Sequence, residues 1–367
     1  MSDEKKNYGI ELLRLMSMFY VVIIHILMRG GVLESSNGSQ YASAYLLKCI
    51  TYCAVNCFAI ITGYVNFSQE PKKFYYSKFL RLWSQVVTYS FGIQLIAFLF
   101  GRQRGIGRLL FSAFPILSGQ YWFVCCYAGL FLLMPWLNKF LRTIDTKESI
   151  RFSTLLFLFF SCFGTVAAYF GDPFAVNEGF SVFWLMVLYI VGSTLKKLSI
   201  ERTMYTKCRH LVVAIVLCTL SMWVLGLLVP RIENLVVMYN SPFEVILAIC
   251  YFLLFKKITI TGEKIKKWIV CLSGSSFSVY LIHMQGYIKT EILENDFIWI
   301  SGFSAWFIPV IVIGSALAIF TSCLFIDKLR RFLFKTLYIE HVIRKVEMFF
   351  SKLQDSVDRN FYRLFSR

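Results

Sequence analysis

The chain has 367 residues, of which 57% are hydrophobic and only 16% are charged, and its mean hydropathy is +0.63. Because soluble domains carry about a quarter of their residues as charged side chains, this composition excludes a soluble globular protein. The formal net charge of +17 comes from 38 Lys and Arg against 21 Asp and Glu. The meaning of that charge depends on where the basic residues fall along the chain.

Apolar stretches of about 20 residues recur along the chain, and this length crosses a hydrocarbon core roughly 30 Å thick. We therefore predict an all-α polytopic membrane protein of about ten transmembrane helices. The first stretch shows no small-residue cleavage site, so we interpret it as a retained helix and not as a signal peptide. The eighth contains Pro242 and Glu244, which weaken its hydrophobic signal. The predicted spans are 9–28, 44–66, 80–101, 121–141, 151–171, 180–196, 211–229, 238–255, 268–286 and 303–326.

The basic residues are divided unequally between alternate loops. Thirty of the 38 lie in the N-terminal segment, in every second loop after it, and in the C-terminal tail, whereas six lie in the intervening loops. The positive-inside bias therefore predicts that both termini are cytoplasmic. The net charge indicates topology and an attraction to anionic membrane lipid, and we predict no binding of nucleic acid.

The chain beyond the last predicted span alternates basic and aromatic residues, as in RRFLFK, RKVEMFFSK and RNFYRLF. This pattern is typical of an amphipathic helix that lies on the inner membrane surface. We therefore divide the chain into a transmembrane domain, 1–330, and a basic amphipathic cytoplasmic tail, 331–367.

Eleven cysteines form no Cys-x-x-Cys pair, and nearly all of them fall inside apolar stretches. Cys49, Cys53 and Cys57 recur every four residues, which places them on one face of a helix. Small polarizable residues packed between helices explain this pattern better than a disulfide or metal site does. The four histidines are widely scattered, and we predict no metal.

The first span contains an arginine and a histidine, and ionisable residues inside a membrane are functional candidates by default. Arg14 and His25 are eleven residues apart, so they share one helix face and lie roughly 16 Å apart along the axis. Arg14 is near the predicted inner surface, where Glu11 can pair with it. His25 is near the outer surface, at a depth similar to that of His283 in the ninth span. The alternative for each histidine is a polar side chain that joins two helices.

Five segments, taken in chain order, carry motifs of one known family. They are YGIELLRLMSMFYVVIIH (8–25), NCFAIITGYV (56–65), KFLRLW (78–83), QYWFVCCYAGLFLLMPWL (120–137) and SFSVYLIHMQ (276–285). The first resembles the opening signature of the acyltransferase-3 family of integral membrane acyltransferases, including its Arg-x10-His spacing. The others resemble the end of that family's second helix, its cytoplasmic basic pair, its fourth helix and its late His-containing segment. The resemblance covers about 1–330.

The resemblance implies a donor inside the cell and an acceptor outside it. The donor would be acetyl-CoA or a related acyl-CoA, and the acceptor a hydroxyl of a cell-surface glycan at the bacterial cytoplasmic membrane. Arg14 would then bind donor phosphate, with Lys78 and Arg81 as further phosphate contacts on the inner face. Lys78 departs from the arginine of the family motif, and a lysine lacks the bidentate fork of an arginine. A homo-oligomer is left open.

The resemblance also places the chemistry at His25, either as general base or as a nucleophile that is acylated first. A carboxylate commonly orients such a base, and we nominate Glu34, with Glu244 as the rival. His283 would bind the acceptor or pack against the first helix.

Two aromatic residues, Tyr121 and Trp122, stand at the start of the predicted fourth span. They would form a wall facing the sugar, or they would belong to an interfacial aromatic belt.

Two other classes of protein compete with the acyltransferase. A non-enzymatic exporter or flippase of lipid-linked glycans predicts many charges along its cavity and repeated halves, whereas this chain has few intramembrane charges and no visible repeat. A polytopic glycosyltransferase predicts clustered acids in the first outer loop, where Glu34 is the only acid. We therefore favour a membrane O-acetyltransferase that modifies a surface polysaccharide.

Overall fold

The computed structural model describes residues 6–103, 105–198 and 207–365, with side chains through 359. Helix makes up 80% of it, and the described residues contain no strand. Within the described residues, seven helices are long and apolar enough to cross a membrane. The predicted class, an all-α membrane protein, is confirmed. The count of ten spans and the cytoplasmic position of both termini stay predictions.

Twelve helices build the part of the chain that the structure describes, and shorter helical turns connect them. The seventh and ninth have only 16 and 15 residues, and the sixth continues through a π-helical turn, Phe157–Phe163, to Ala168. The helices are α1 Tyr8–Met28, α2 Gly38–Thr51, α3 Ala54–Asn66, α4 Phe79–Leu99, α5 Trp122–Thr143, α6 Thr146–Leu156, α7 Val182–Lys197, α8 Cys208–Leu228, α9 Pro242–Lys256, α10 Glu263–His283, α11 Phe307–Thr336 and α12 Ile339–Phe365.

Three predicted boundaries differ from the structure. Pro242 does not interrupt the eighth span but begins α9, where its fixed φ and missing N–H suit the first helical position. The second predicted span is two helices, α2 and α3, separated at Tyr52 and Cys53. Helix α11 continues through residues 330 and 331, where we divided the chain, and ends at Thr336.

The bundle packs around α1, which contacts α3, α9, α10 and α11. Glycines allow the closest approaches. A Cβ at Gly63 would lie 2.1 Å from the Tyr189 carbonyl oxygen, and one at Gly192 would lie 2.1 Å from the Ile60 carbonyl oxygen. Helices α3 and α7 therefore meet backbone to backbone, as small residues permit inside membranes. Helix α3 also packs against α1, the helix that carries Arg14 and His25.

Candidate active site

A cavity of roughly 310 Å³ lies against α1, and both Arg14 and His25 line it. Helices α3, α5 and α10 supply most of the other walls. The polar lining besides these two residues includes Thr62, Asn66, Ser273 and Ser276. The aromatic lining is Phe58, Trp122, Phe123, Tyr127, Tyr239, Phe277 and Tyr280. The shared helix face predicted for Arg14 and His25 thus opens onto one continuous space.

Arg14 stands at one end of this cavity, one turn after Glu11. Its Nη1 donates a hydrogen bond to Glu11 Oε1 over 3.2 Å, and Glu11 also pairs with Lys6 at 3.5 Å. The side chain of Arg14 is 30% exposed. Nη1 also lies 3.4 Å from Glu11 Oε2, and within the described residues the guanidinium group has no hydrogen-bond partner other than Glu11, so its remaining N–H groups can bind an anion.

His25 and His283 form a hydrogen-bonded pair at the other end of the cavity. The distance from His25 Nδ1 to His283 Nε2 is 2.8 Å, and the ring centroids are 5.0 Å apart. The opposite nitrogen of His283, Nδ1, lies against the Val279 carbonyl oxygen. The structure thus brings together two histidines that are 258 residues apart in the chain.

The backbone carbonyl determines the tautomers of the neutral pair. A carbonyl oxygen only accepts, so His283 Nδ1 carries a proton and donates it to Val279. His283 Nε2 is then an acceptor, and His25 Nδ1 must donate to it. This order leaves the lone pair of His25 Nε2 unused. Nε2 is therefore the basic atom of His25.

The nominated carboxylates do not contact His25. Glu34 lies in the short helix Val32–Ser35, where it is exposed, and it does not line the cavity. The chain turns away from α1 at Gly31, whose φ of 80° is left-handed, and this turn carries Glu34 outward. In this structure His283 contacts His25 Nδ1, and the role of Glu34 in orienting His25 stays a prediction. Glu244 is fully buried on α9, and neither carboxylate oxygen has a hydrogen-bond partner among the described residues.

The two aromatic candidates separate in the structure. Tyr121 is 1% exposed and does not line the cavity; its hydroxyl donates to the Leu281 carbonyl oxygen over 2.9 Å, which ties α5 to α10 two residues before His283. Trp122 does line the cavity and stacks on Tyr239, with ring centroids 5.7 Å apart and planes at 26°. Tyr239 stands just before α9, and sequence reasoning missed it because its apolar neighbours look like ordinary span residues.

The basic pair Lys78 and Arg81 lies outside the cavity wall. Lys78 is the exposed N-cap residue of α4, and Arg81 is in its first turn. Arg81 Nη2 bonds Glu347 Oε2 of α12 at 2.6 Å, and its side chain is 68% exposed. The next residue, Leu82, does line the cavity. The pair therefore stands beside the cavity and not in it.

A profile of the family described as an acyltransferase domain matches residues 7–328. Neither the curated proteins nor the solved structures give a significant match to this chain. Within the described residues, no three metal-ligating side chains come together. Because the family match spans most of the 367 residues, the chain belongs to the acyltransferase-3 family, and its general activity is that of a membrane acyltransferase.

Proposed function

We propose that this protein transfers an acetyl group from cytoplasmic acetyl-CoA to a hydroxyl of an extracytoplasmic surface polysaccharide in the bacterial cytoplasmic membrane. The acceptor class is capsule, exopolysaccharide or a related cell-wall glycan. One observation carries the proposal: Arg14 and His25 line the same cavity from positions roughly 16 Å apart on one helix. A donor with an anionic head and a long arm ending in a thioester matches this separation of cation and base.

The donor end rests on the free N–H groups of Arg14. A guanidinium group binds phosphate through paired hydrogen bonds, which are stronger than those between neutral groups. The hydroxyls of Ser273 and Ser276 and the amide of Asn66 also line the cavity, and they offer hydrogen bonds to the amides of the pantetheine arm. The thioester would then lie at the end of the cavity that holds His25.

The reaction needs one base, and His25 Nε2 can supply it. As the acceptor oxygen attacks the thioester carbonyl carbon, its proton passes to His25 Nε2. The tetrahedral intermediate then breaks its C–S bond, and the proton returns to sulfur to give the thiol of CoA. The His25 Nδ1–H bond to His283 is kept throughout, so the ring stays oriented when it becomes positively charged. An acetyl-His25 intermediate formed by the same nitrogen is the alternative route.

The acceptor end is aromatic. Trp122 and Tyr239 present stacked ring surfaces in the cavity wall, and a sugar packs its C–H face on such surfaces while its hydroxyls point away. This arrangement favours a glycan hydroxyl over a charged acceptor.

The test compares cells with and without this chain. Acetyl signals of the purified surface glycan are measured by NMR, and membranes are supplied with acetyl-CoA labelled in the acetyl group. We expect loss of glycan acetyl signals in the cells that lack the chain, and label in the glycan of membranes that contain it. Unchanged acetylation together with altered export of unmodified glycan would overturn the proposal and favour a flippase.

A further inference from the structure

The tail helix α12 lies against residues 71–81, the segment that leads into α4 and carries Lys78 and Arg81. Six hydrogen bonds and ion pairs join them. Arg81 pairs with Glu347 at 2.6 Å, and Ser77 Oγ lies 2.7 Å from Ser351 Oγ. Gln354 bonds the backbone at Phe74 and Tyr76, and Lys73 pairs with Asp355 at 2.5 Å and with Asp358 at 3.2 Å.

The contacting residues of α12 follow helical spacing. Positions 347, 351, 354 and 358 recur every three or four residues and so form one stripe. The charged residues of this polar stripe, Glu347 and Asp358, are acidic, and so is Asp355 beside it. The tail as a whole is basic. Asp355 and Asp358 raise the pKa of Lys73 by hydrogen bonding to it. The polar stripe therefore presents carboxylates to the cations of the 71–81 segment.

A second stripe of α12 is apolar and faces away. At 100° per residue its centre lies roughly 130° around the helix from the polar stripe. It consists of Val342, Val346, Phe349, Leu353 and Val357, all of them exposed. Only Leu337 and Tyr338 separate α12 from the membrane-spanning helix α11. The apolar stripe is thus held at the membrane surface, where such a helix inserts its apolar face.

We propose that α12 is an autoinhibitory cover over the 71–81 segment. Its Glu347 carboxylate pairs with the N–H groups of Arg81 that otherwise bind a phosphate of the acyl-CoA donor. This inference rests on the proposed function and on the sequence prediction that Arg81, which stands beside the cavity next to Leu82, is a donor contact. Donor phosphate and Glu347 are both anions and compete for the same N–H groups. The donor binds fully when the polar stripe of α12 moves off the 71–81 segment.

The ion pairs between α12 and the 71–81 segment are weak enough for donor phosphate to replace them. Arg81 is 68% exposed and Lys73 is 44% exposed, and exposed ion pairs are weak and screened by salt. A phosphate offers Arg81 a bidentate partner of higher charge. Arg81 also lies in the first turn of the 21-residue helix α4, whose N-terminus favours an anion. Glu347 therefore holds the site only until donor phosphate arrives.

A cross-link between Ser77 and Ser351 tests the cover without measuring transfer. Ser77→Cys and Ser351→Cys are combined in a chain whose exposed Cys208 and Cys271 are replaced by Ser, and disulfide formation is followed in membranes. We expect CoA to slow the cross-link and pantetheine, which has no phosphate, to leave it unchanged. An equal rate with and without CoA, in membranes that transfer acetyl groups normally, would overturn the cover and leave the proposed function intact.

Kinetic measurements on variants show whether α12 weakens or strengthens donor binding. Glu347→Gln should lower the KM for acetyl-CoA by about two- to fivefold, the range for loss of an exposed ion pair. The KM for S-acetylpantetheine should not change. Lys73→Ala should also lower the KM for acetyl-CoA, because it frees the far end of the polar stripe, whereas Arg81→Ala should raise it. Glu340→Gln is the matched control, since among the described residues Glu340 forms an ion pair only within α12, with Arg344 at 3.6 Å. A raised KM in Glu347→Gln would show that Glu347 supports donor binding and would refute the cover.

Membranes that show no transfer from acetyl-CoA at all would refute the proposed function itself. CoA would then also leave the rate of cross-linking unchanged, and both the autoinhibitory role of α12 and the proposed function would be refuted.

Discussion

The two ends of the cavity are held in different ways. His25 is fixed by His283, which is 2% exposed and is itself fixed by a backbone carbonyl. Arg14, at the other end, is instead held by an ion pair to Glu11 and is 30% exposed, and Arg81, which stands beside the cavity, is held by an ion pair to Glu347 and is 68% exposed. The difference follows the chemistry expected at each end, because a base must keep its geometry through the reaction whereas a phosphate contact must release its partner when the donor arrives.

Removing the base should have the largest effect. His25→Ala should lower acetyl transfer by about 10²- to 10⁴-fold, the usual cost of losing a general base, because no other described residue offers an unused imidazole nitrogen to the cavity. Glycan acetylation is measured by NMR beside the amount of protein in the membrane. Near-normal acetylation in this variant would remove His25 from the mechanism.

Removing the residue that orients the base should cost less. His283→Ala should lower kcat by about 10- to 100-fold, the range for partners that orient a reacting group. His283→Gln should recover part of that loss, since its side-chain oxygen can still accept the hydrogen from His25 Nδ1. Equal impairment of His283→Gln and His283→Ala would show that His283 does not act by accepting this hydrogen bond. A lower kcat in His283→Ala than in His25→Ala would show that His283, and not His25, is the base.

Loss of Arg14 at the donor end of the cavity should change the KM for acetyl-CoA. Arg14→Ala should raise the KM for acetyl-CoA by about tenfold, the value of a charge-assisted hydrogen bond, and should change kcat little. S-Acetylpantetheine, which lacks the phosphates, should be used equally well by this variant and the parent protein. The control is Lys6→Ala, which removes a cation from Glu11 without reaching the cavity. Equal loss with both donors would make Arg14 a structural residue.

The aromatic wall should give the smallest effect. Trp122→Ala should raise the KM for the acceptor by about two- to tenfold, the value of one stacked aromatic contact, and should leave the KM for acetyl-CoA unchanged. Initial rates are measured against acceptor concentration at saturating donor. Tyr121→Phe serves as the comparison, because it removes only the hydrogen bond to Leu281. A change in donor KM would place Trp122 on the donor path instead.

Local patterns were enough to predict a large part of this protein. Apolar runs gave the membrane class, because the bilayer demands a fixed length of apolar helix. The period of 3.6 residues placed Arg14 and His25 on one face, and both residues do line the cavity. The motif resemblance indicated the family that the match over residues 7–328 now shows.

Contacts between segments that are distant in the chain could not be predicted from such local patterns. The pairing of His25 with His283, the outward position of Glu34 and the stacking of Tyr239 on Trp122 all depend on how separate helices pack. The family resemblance implied that Arg81 is a phosphate contact, but its carboxylate partner Glu347 comes 266 residues later in the chain. Periodicity fixes which residues share a face of one helix. Which faces then meet is decided by close packing across the whole bundle, where glycines such as Gly63 and Gly192 set how near two backbones can come.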